Sequence, residues 1–169
     1  YRPRPRRAVA FTRGFELGAF LQQTDFNSDA EIKDDVGYGF RFGYLYTPRQ
    51  EIEFLYNAVN TQDEFDSRIG VDVSHLQAAY VFNFTDKAVV PYLTAGFGFV
   101  FTSDDSLGDE SDPLLGVGGG VRFFMGPTTY FRIEARHNRF RGDGTVFASD
   151  TTFTFNEVGF GLGWRFPTY

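Results

Sequence analysis

Residues 37–46 read GYGFRFGYLY. Tyr38, Phe40, Phe42, Tyr44 and Tyr46 alternate with Gly37, Gly39, Arg41, Gly43 and Leu45. A period of two is that of a β-strand, whose successive side chains point to opposite faces of the sheet. One face here is aromatic and the other is small or charged. The pattern spreads in both directions along the chain. Upstream, Phe15, Leu17, Ala19 and Leu21 stand over Gly14, Glu16, Gly18 and Phe20. Downstream, Ile52, Phe54, Tyr56 and Ala58 alternate with Glu51, Glu53, Leu55 and Asn57, and Leu76, Ala78, Tyr80 and Phe82 with His75, Gln77, Ala79 and Val81. Four further strands carry Leu93, Phe97 and Phe99 against Thr94, Gly96 and Gly98; Val117, Val121 and Phe123 against Gly118, Gly120 and Arg122; Phe131, Ile133 and Ala135 against Arg132, Glu134 and Arg136; and Phe160, Leu162, Trp164 and Phe166 against Gly159, Gly161, Gly163 and Arg165.

Eight strands result, and their connections alternate strictly between short ones (47–50, 85–88, 126–129) and long ones (22–35, 59–70, 102–113, 138–150). Consecutive strands joined by such loops are antiparallel, so tight turns gather at one end and polar loops at the other. An eight-stranded barrel has an interior barely wide enough for side chains, and some thirty Phe, Tyr, Leu and Ile would overpack it. The glycine-rich face therefore points inward and the aromatic face needs an apolar solvent outside, which a bilayer supplies. The fold expected is all-β, an eight-stranded antiparallel up-and-down transmembrane barrel. A soluble cup with an apolar lumen is the alternative. Phe42, Phe54, Tyr80, Phe97, Phe123 and Trp164 are then lipid-facing. Inside, Glu16, Arg41, Glu53, Arg122, Arg132, Glu134 and Arg136 are expected to pair across the lumen, because burying them unmatched is costly. Phe153 and Phe155 fall on the inward parity, which calls for a bulge or for a strand start above the membrane rim.

Composition agrees with one domain of this kind. The 169 residues are 19% aromatic, contain no Cys and carry a formal net charge of −6. Disulfide scaffolds and thiolate metal sites are excluded, and the acidic balance excludes a nucleic-acid partner. No stretch reaches the roughly 18–20 apolar residues of a membrane helix. Residues 1–10 form an Arg/Pro-rich tail with no signal-peptide core, which reads as a processed chain or a fragment; 11–166 form the barrel and 167–169 the start of a linker.

The segments VRFFMGPTTYFRIE (121–134), PYLTAGFGF (91–99) and GFGLGWRF (159–166), in this order and spacing, resemble the small eight-stranded outer membrane barrels of the OmpA N-terminal type. The resemblance implies a bacterial outer membrane location, long loops extracellular and termini periplasmic. It implies a structural, anchoring or surface-interaction role, with a narrow channel as the alternative. It also implies contact with outer membrane lipids and lipopolysaccharide, and a C-terminal signal, Trp164 and Phe166, read by the outer membrane assembly machinery. Residues 167–169 overrun that signal, as in members whose linker leads to a periplasmic peptidoglycan-binding domain. Glu53, Arg132 and Glu134 stand where the family's lumenal network lies, whereas Thr94 and Ala79 stand where some members carry basic residues.

Some barrels of this size modify lipid A with a Ser/His/acid site at the outer rim. Here the histidines are His75 and His137; Arg139, not Ser, follows His137 by two, and Ser74 points away from His75. No enzyme and no cofactor are expected. The long connections hold fifteen Asp and Glu against four Lys and Arg. The densest run, Asp104, Asp105, Asp109, Glu110 and Asp112, offers oxygen ligands for a hard cation but lacks EF-hand spacing, and an exposed solvated loop is the expectation.

Overall fold

The computed structural model of the chain describes residues 13–26, 35–62, 70–104, 108–141 and 152–168. These residues form β1 (Gly14–Phe26), β2 (Asp35–Thr47), β3 (Gln50–Gln62), β4 (Gly70–Asn83), β5 (Val89–Asp104), β6 (Gly108–Phe124), β7 (Thr129–Arg141) and β8 (Thr152–Pro167). Each strand pairs antiparallel with its sequence neighbour, and β8 closes on β1. Closure leaves no unpaired edge, the condition for carrying a sheet through hydrocarbon.

The register can be followed around the wall. Gly14 faces Leu45, and the pairing continues through Glu51, Val81, Thr94, Gly118, Arg136 and Glu157 before returning to β1 at Thr24. One circuit thus climbs from residue 14 to residue 24 of the same strand. A closed barrel requires such a stagger, with strands tilted roughly 35–45° from its axis. The stagger also decides which inward side chains share a level.

Burial alternates residue by residue. Phe40, Phe97 and Leu115 are 62, 67 and 64% exposed, whereas Glu53, Arg122 and Leu55 are 1, 0 and 2% exposed. The apolar face lies outside and the charged face inside, the reverse of a soluble domain and the arrangement a lipid solvent favours. At the short-turn end the backbone is pinned by bonds such as Met125 N–H to Thr129 O at 3.0 Å and Asn83 N–H to Arg49 O at 2.7 Å.

Two expectations are corrected. The strands run well past the expected strand ends, and the largest change is at residues 102–113. There β5 and β6 stay paired up to Asp104 opposite Gly108, so Asp104, Asp109, Glu110 and Asp112 of the acidic run lie in hairpin wall instead of open loop. Alternating pairing, with Thr102 buried on the lumenal side, extends the ladder beyond the apolar band. The second correction concerns one of the two readings of Phe153 and Phe155, the bulge: β8 pairs with β7 without a register break from Thr152 to Trp164, and a strand start above the membrane rim is the reading that is left. Phe153 and Phe155 point inward with no bulge. Pro167, placed at the start of a linker by its sequence, still pairs with Gly14.

Candidate functional site in the barrel lumen

The inward face of every strand supplies a polar side chain to the lumen. Near the short-turn end, Glu16 of β1 accepts from Tyr130 Oη at 2.8 Å and from Arg165 Nε at 2.5 Å. Arg122 lies 2.8 Å from Glu51 Oε2 and 3.6 Å from Glu16 Oε2, and donates to Asn83 Oδ1 at 3.2 Å. One level higher, Arg132 is the hub. Its Nη1 donates to Glu53 Oε2 at 2.5 Å, its Nη2 to Glu134, and its Nε to Tyr92 Oη at 2.6 Å. The Tyr92 hydroxyl donates in turn to Glu134 Oε2 at 2.5 Å. Arg136 bonds Glu53 Oε1 at 2.9 Å, Glu134 Oε1 at 2.8 Å and Gln77 Oε1 at 2.5 Å; Arg41 reaches Glu134 Oε1 at 3.3 Å. Arg122 Nη2, 3.8 Å from Glu53 Oε2, links the two levels.

All seven ionic residues named from the sequence therefore lie in one connected set of ion pairs. Among the described residues, five buried Arg (41, 122, 132, 136, 165) face five buried Glu (16, 51, 53, 134, 157). Near-balance matters because an unpaired buried charge carries an uncompensated desolvation cost. Glu51, Arg165, Glu157, Tyr92 and Tyr130 belong to this lumen but were not singled out from the sequence. Their parity was the available signal: Glu51 is two residues before Glu53, and Tyr130 two before Arg132.

Aromatic rings share the lumen because glycines make room for them. Tyr92 lies opposite Gly120 and Tyr130 opposite Gly163. A Cβ at Gly120 would sit 2.5 Å from the Tyr92 hydroxyl, and one at Gly163 would run into the Tyr130 ring. The rings then carry guanidinium groups on their faces: Arg132 is 4.4 Å from the Tyr92 centroid and Arg41 is 4.3 Å from that of Phe20, cation–π contacts that strengthen when desolvated.

Toward the loop end the lumen changes character twice. Glu157 accepts from Gln22 Nε2, from Asn57 Nδ2 at 3.3 Å and from Asn138 Nδ2 at 2.8 Å, with His75 Nδ1 3.7 Å away. A cavity of about 10 Å³, bordered by Gln22, Arg41, Glu134, Arg136 and Glu157, lies here, space for about one water molecule. Above it Phe26, Val73, Val100, Leu114, Phe140, Phe153 and Phe155 form a buried apolar layer across the barrel. Phe155 stacks on His75 at 5.8 Å and Phe140 on Phe153 at 5.4 Å.

Of the remaining residues named from the sequence, Phe42, Phe54, Tyr80, Phe97, Phe123 and Trp164 are outward and exposed, and Phe166 lies beside Trp164 on the same face of β8. His137 is on the outer surface, with Nδ1 2.8 Å from Asn156 Oδ1. Of the candidate cation ligands, Asp112 is inward and buried, Asp104, Asp109 and Glu110 lie in paired strand, and Asp105 and the tail at residues 1–12 lie outside the described residues. No group of three metal-ligating side chains occurs among the described residues.

A family model of the outer membrane protein beta-barrel domain matches residues 5–166. The chain belongs to that family. Membership makes it an outer membrane β-barrel protein. No curated protein matches the sequence. Among solved structures of the fold, neisserial surface protein A has a TM-score of 0.68 at 20% identity, covering 90% of this chain and 97% of that one. The N-terminal barrel domain of Pseudomonas aeruginosa OprF has a TM-score of 0.58 at 15% identity, covering 89% and 97%. Ail, the attachment invasion locus protein of Yersinia pestis, has a TM-score of 0.52 at 19% identity, covering 91% and 97%. At these identities the likeness is one of fold.

Proposed function

We propose that this family member is a structural or surface-interaction barrel with a plugged lumen and no catalytic activity. The observation that carries the reading is the Arg132 hub. Glu53 and Glu134 clasp it from β3 and β7, with Tyr92 of β5 between them and Arg41 and Arg136 on the flanks. A hydrated ion crossing this level must separate pairs whose desolvation is already compensated. It then meets the apolar layer at the loop end, and a hydrophobic constriction resists wetting. In planar bilayers the folded chain is expected to show no steady conductance. Steady current of the size a water-filled pore passes overturns the plug and favours a narrow channel. A lipid A-modifying enzyme finds no support at His137, whose ring is engaged by Asn156.

In this reading the barrel runs to Pro167, with 1–10 a periplasmic tail, the residues after Pro167 the start of a linker, and Trp164 and Phe166 the signal read by the assembly machinery. The long connections face outward because outer membrane barrels keep their short turns in the periplasm. Protease added to intact cells is expected to cut within 22–35 or 138–150 and to spare the arginine tail. Cleavage in residues 1–10 under the same conditions reverses the orientation.

A further inference from the structure

Glu157 differs from the other carboxylates of the lumen. Glu16, Glu51, Glu53 and Glu134 each have a guanidinium within ion-pair distance, whereas Glu157 has none among the described residues. Arg136 stands directly across from it on β7, yet gives its nitrogens to Glu134, Gln77 and Glu53. His75 Nδ1, 3.7 Å away, is beyond hydrogen-bond distance, and its ring lies on Phe155 of the apolar layer. Carboxamides surround Glu157 instead: Gln22, Asn57 and Asn138 all donate to it. In doing so they leave acceptors unused. Asn57 Oδ1 and Asn138 Oδ1 are buried with no hydrogen-bond partner, as is the hydroxyl of Thr24, the residue opposite Glu157 on β1. Buried polar atoms left in this way are costly and rare. Counting Asp112, six buried acids face five buried guanidinium groups among the described residues, an excess of one negative charge.

We infer that Glu157, Asn57, Asn138 and Thr24 form a site for one small monovalent cation of sodium's size, held in the lumen between the Arg132 hub and the apolar layer. The donor set selects the ion. A carboxamide carries an acceptor oxygen and a donor nitrogen on one flat group, so a half-turn about the terminal bond of Asn57 and Asn138 brings their unused oxygens to the carboxylate. With Thr24 Oγ1 added, the ion meets oxygen alone, the preference of a hard cation. One carboxylate supplies one negative charge, which a monovalent ion cancels and a divalent ion exceeds. Acid and imidazole side chains do not gather in threes among the described residues, so the site is not one for a transition metal. The cavity of about 10 Å³ that Gln22 and Glu157 border has room for about one water molecule, a space that favours sodium over potassium. Arg41 and Arg136 also border it, each paired with Glu134 and Glu53.

The test is urea unfolding of the full chain folded in lipid vesicles, with sodium chloride exchanged for choline chloride at constant ionic strength. An ion that binds only the folded state lowers the unfolding constant in proportion to its concentration once the site fills. A tenfold rise in sodium is therefore expected to lower that constant by up to about tenfold. Glu157→Gln keeps the shape of the side chain, removes its charge, and is expected to abolish the response. Thr24→Val removes one ligand oxygen and is expected to move the response to a severalfold higher sodium concentration, which keeps the test open if Glu157→Gln does not fold. An unfolding constant that ignores sodium overturns the proposal, as does an equal response in Glu157→Gln or an equal response to potassium. Dependence on acid with none on sodium also overturns it, because a proton then neutralises Glu157. The plug is judged separately: steady conductance in planar bilayers removes the plug and leaves the sodium site to the unfolding data.

Discussion

Replacing Arg132 by Ala is expected to remove about 3–5 kcal/mol from the unfolding free energy, because it strands two buried carboxylates at once. Arg132 donates to Glu53 and Glu134 and also to the Tyr92 hydroxyl. Its truncation leaves Glu53, 1% exposed, and Glu134, 8% exposed, facing each other across the space the guanidinium occupied. Arg41, 3.3 Å from Glu134, and Arg136, 2.9 Å from Glu53, stay in place. They hold the loss to that range. Removing both partners should hurt less than removing one: Arg132→Met combined with Glu53→Gln is expected to recover a substantial part of the stability, since neither change leaves a bare charge at that pair. Urea unfolding of the folded chain in lipid vesicles measures both. A loss below about 1 kcal/mol for the single variant would mean that water reaches the hub, and the plugged lumen would fall with it.

Phe54→Arg is expected to destabilise the barrel by about 2–4 kcal/mol, the cost of a cation on the lipid face near the bilayer midplane. Phe54 is 49% exposed on the outer wall, level with Phe42 of β2 and Ala78 of β4. It is the fifth residue of β3, with Ile52 below it and Tyr56 above on the same face. An arginine there has several apolar residues to span before its guanidinium reaches either interface. Phe54→Leu keeps the apolar contact and is expected to cost little. The same urea titration in vesicles reads both changes. A neutral Phe54→Arg would mean that this face is wet, and the assignment of faces would be inverted.

The same two residues mark how far the sequence could be read. Phe54 was legible because its outward direction follows from parity alone: every second residue of an extended chain points the same way. Aromatic alternation over many strands then requires an apolar solvent outside. Parity also put Glu53 and Arg132 on the inner face, but not in contact. They are 79 residues apart, on β3 and β7, which are not neighbours in the sheet. Their meeting depends on the stagger that carries the register from Gly14 back to Thr24, a property of the closed wall that no single strand contains.

The inward aromatics mislead for a related reason. Phe153 and Phe155 look like faults in an inward face because local alternation counts them against a polar interior. In the closed barrel, Phe26, Val73, Val100, Leu114 and Phe140 from five other strands converge on the same level and supply the apolar surroundings those rings need. The acidic run at 102–113 misleads in the opposite way. Asp and Gly favour turns in isolation, yet β5 and β6 already lie side by side, so each further pair adds a ladder bond at little extra entropic cost. Eight strands, their antiparallel order and the lipid-facing wall were thus set by the amino-acid sequence alone, since strand period and solvent preference are properties of short segments. The pairing across the lumen, the apolar layer above it and the length of the third long hairpin were decided by the tertiary structure, because each depends on residues that only barrel closure brings to one level.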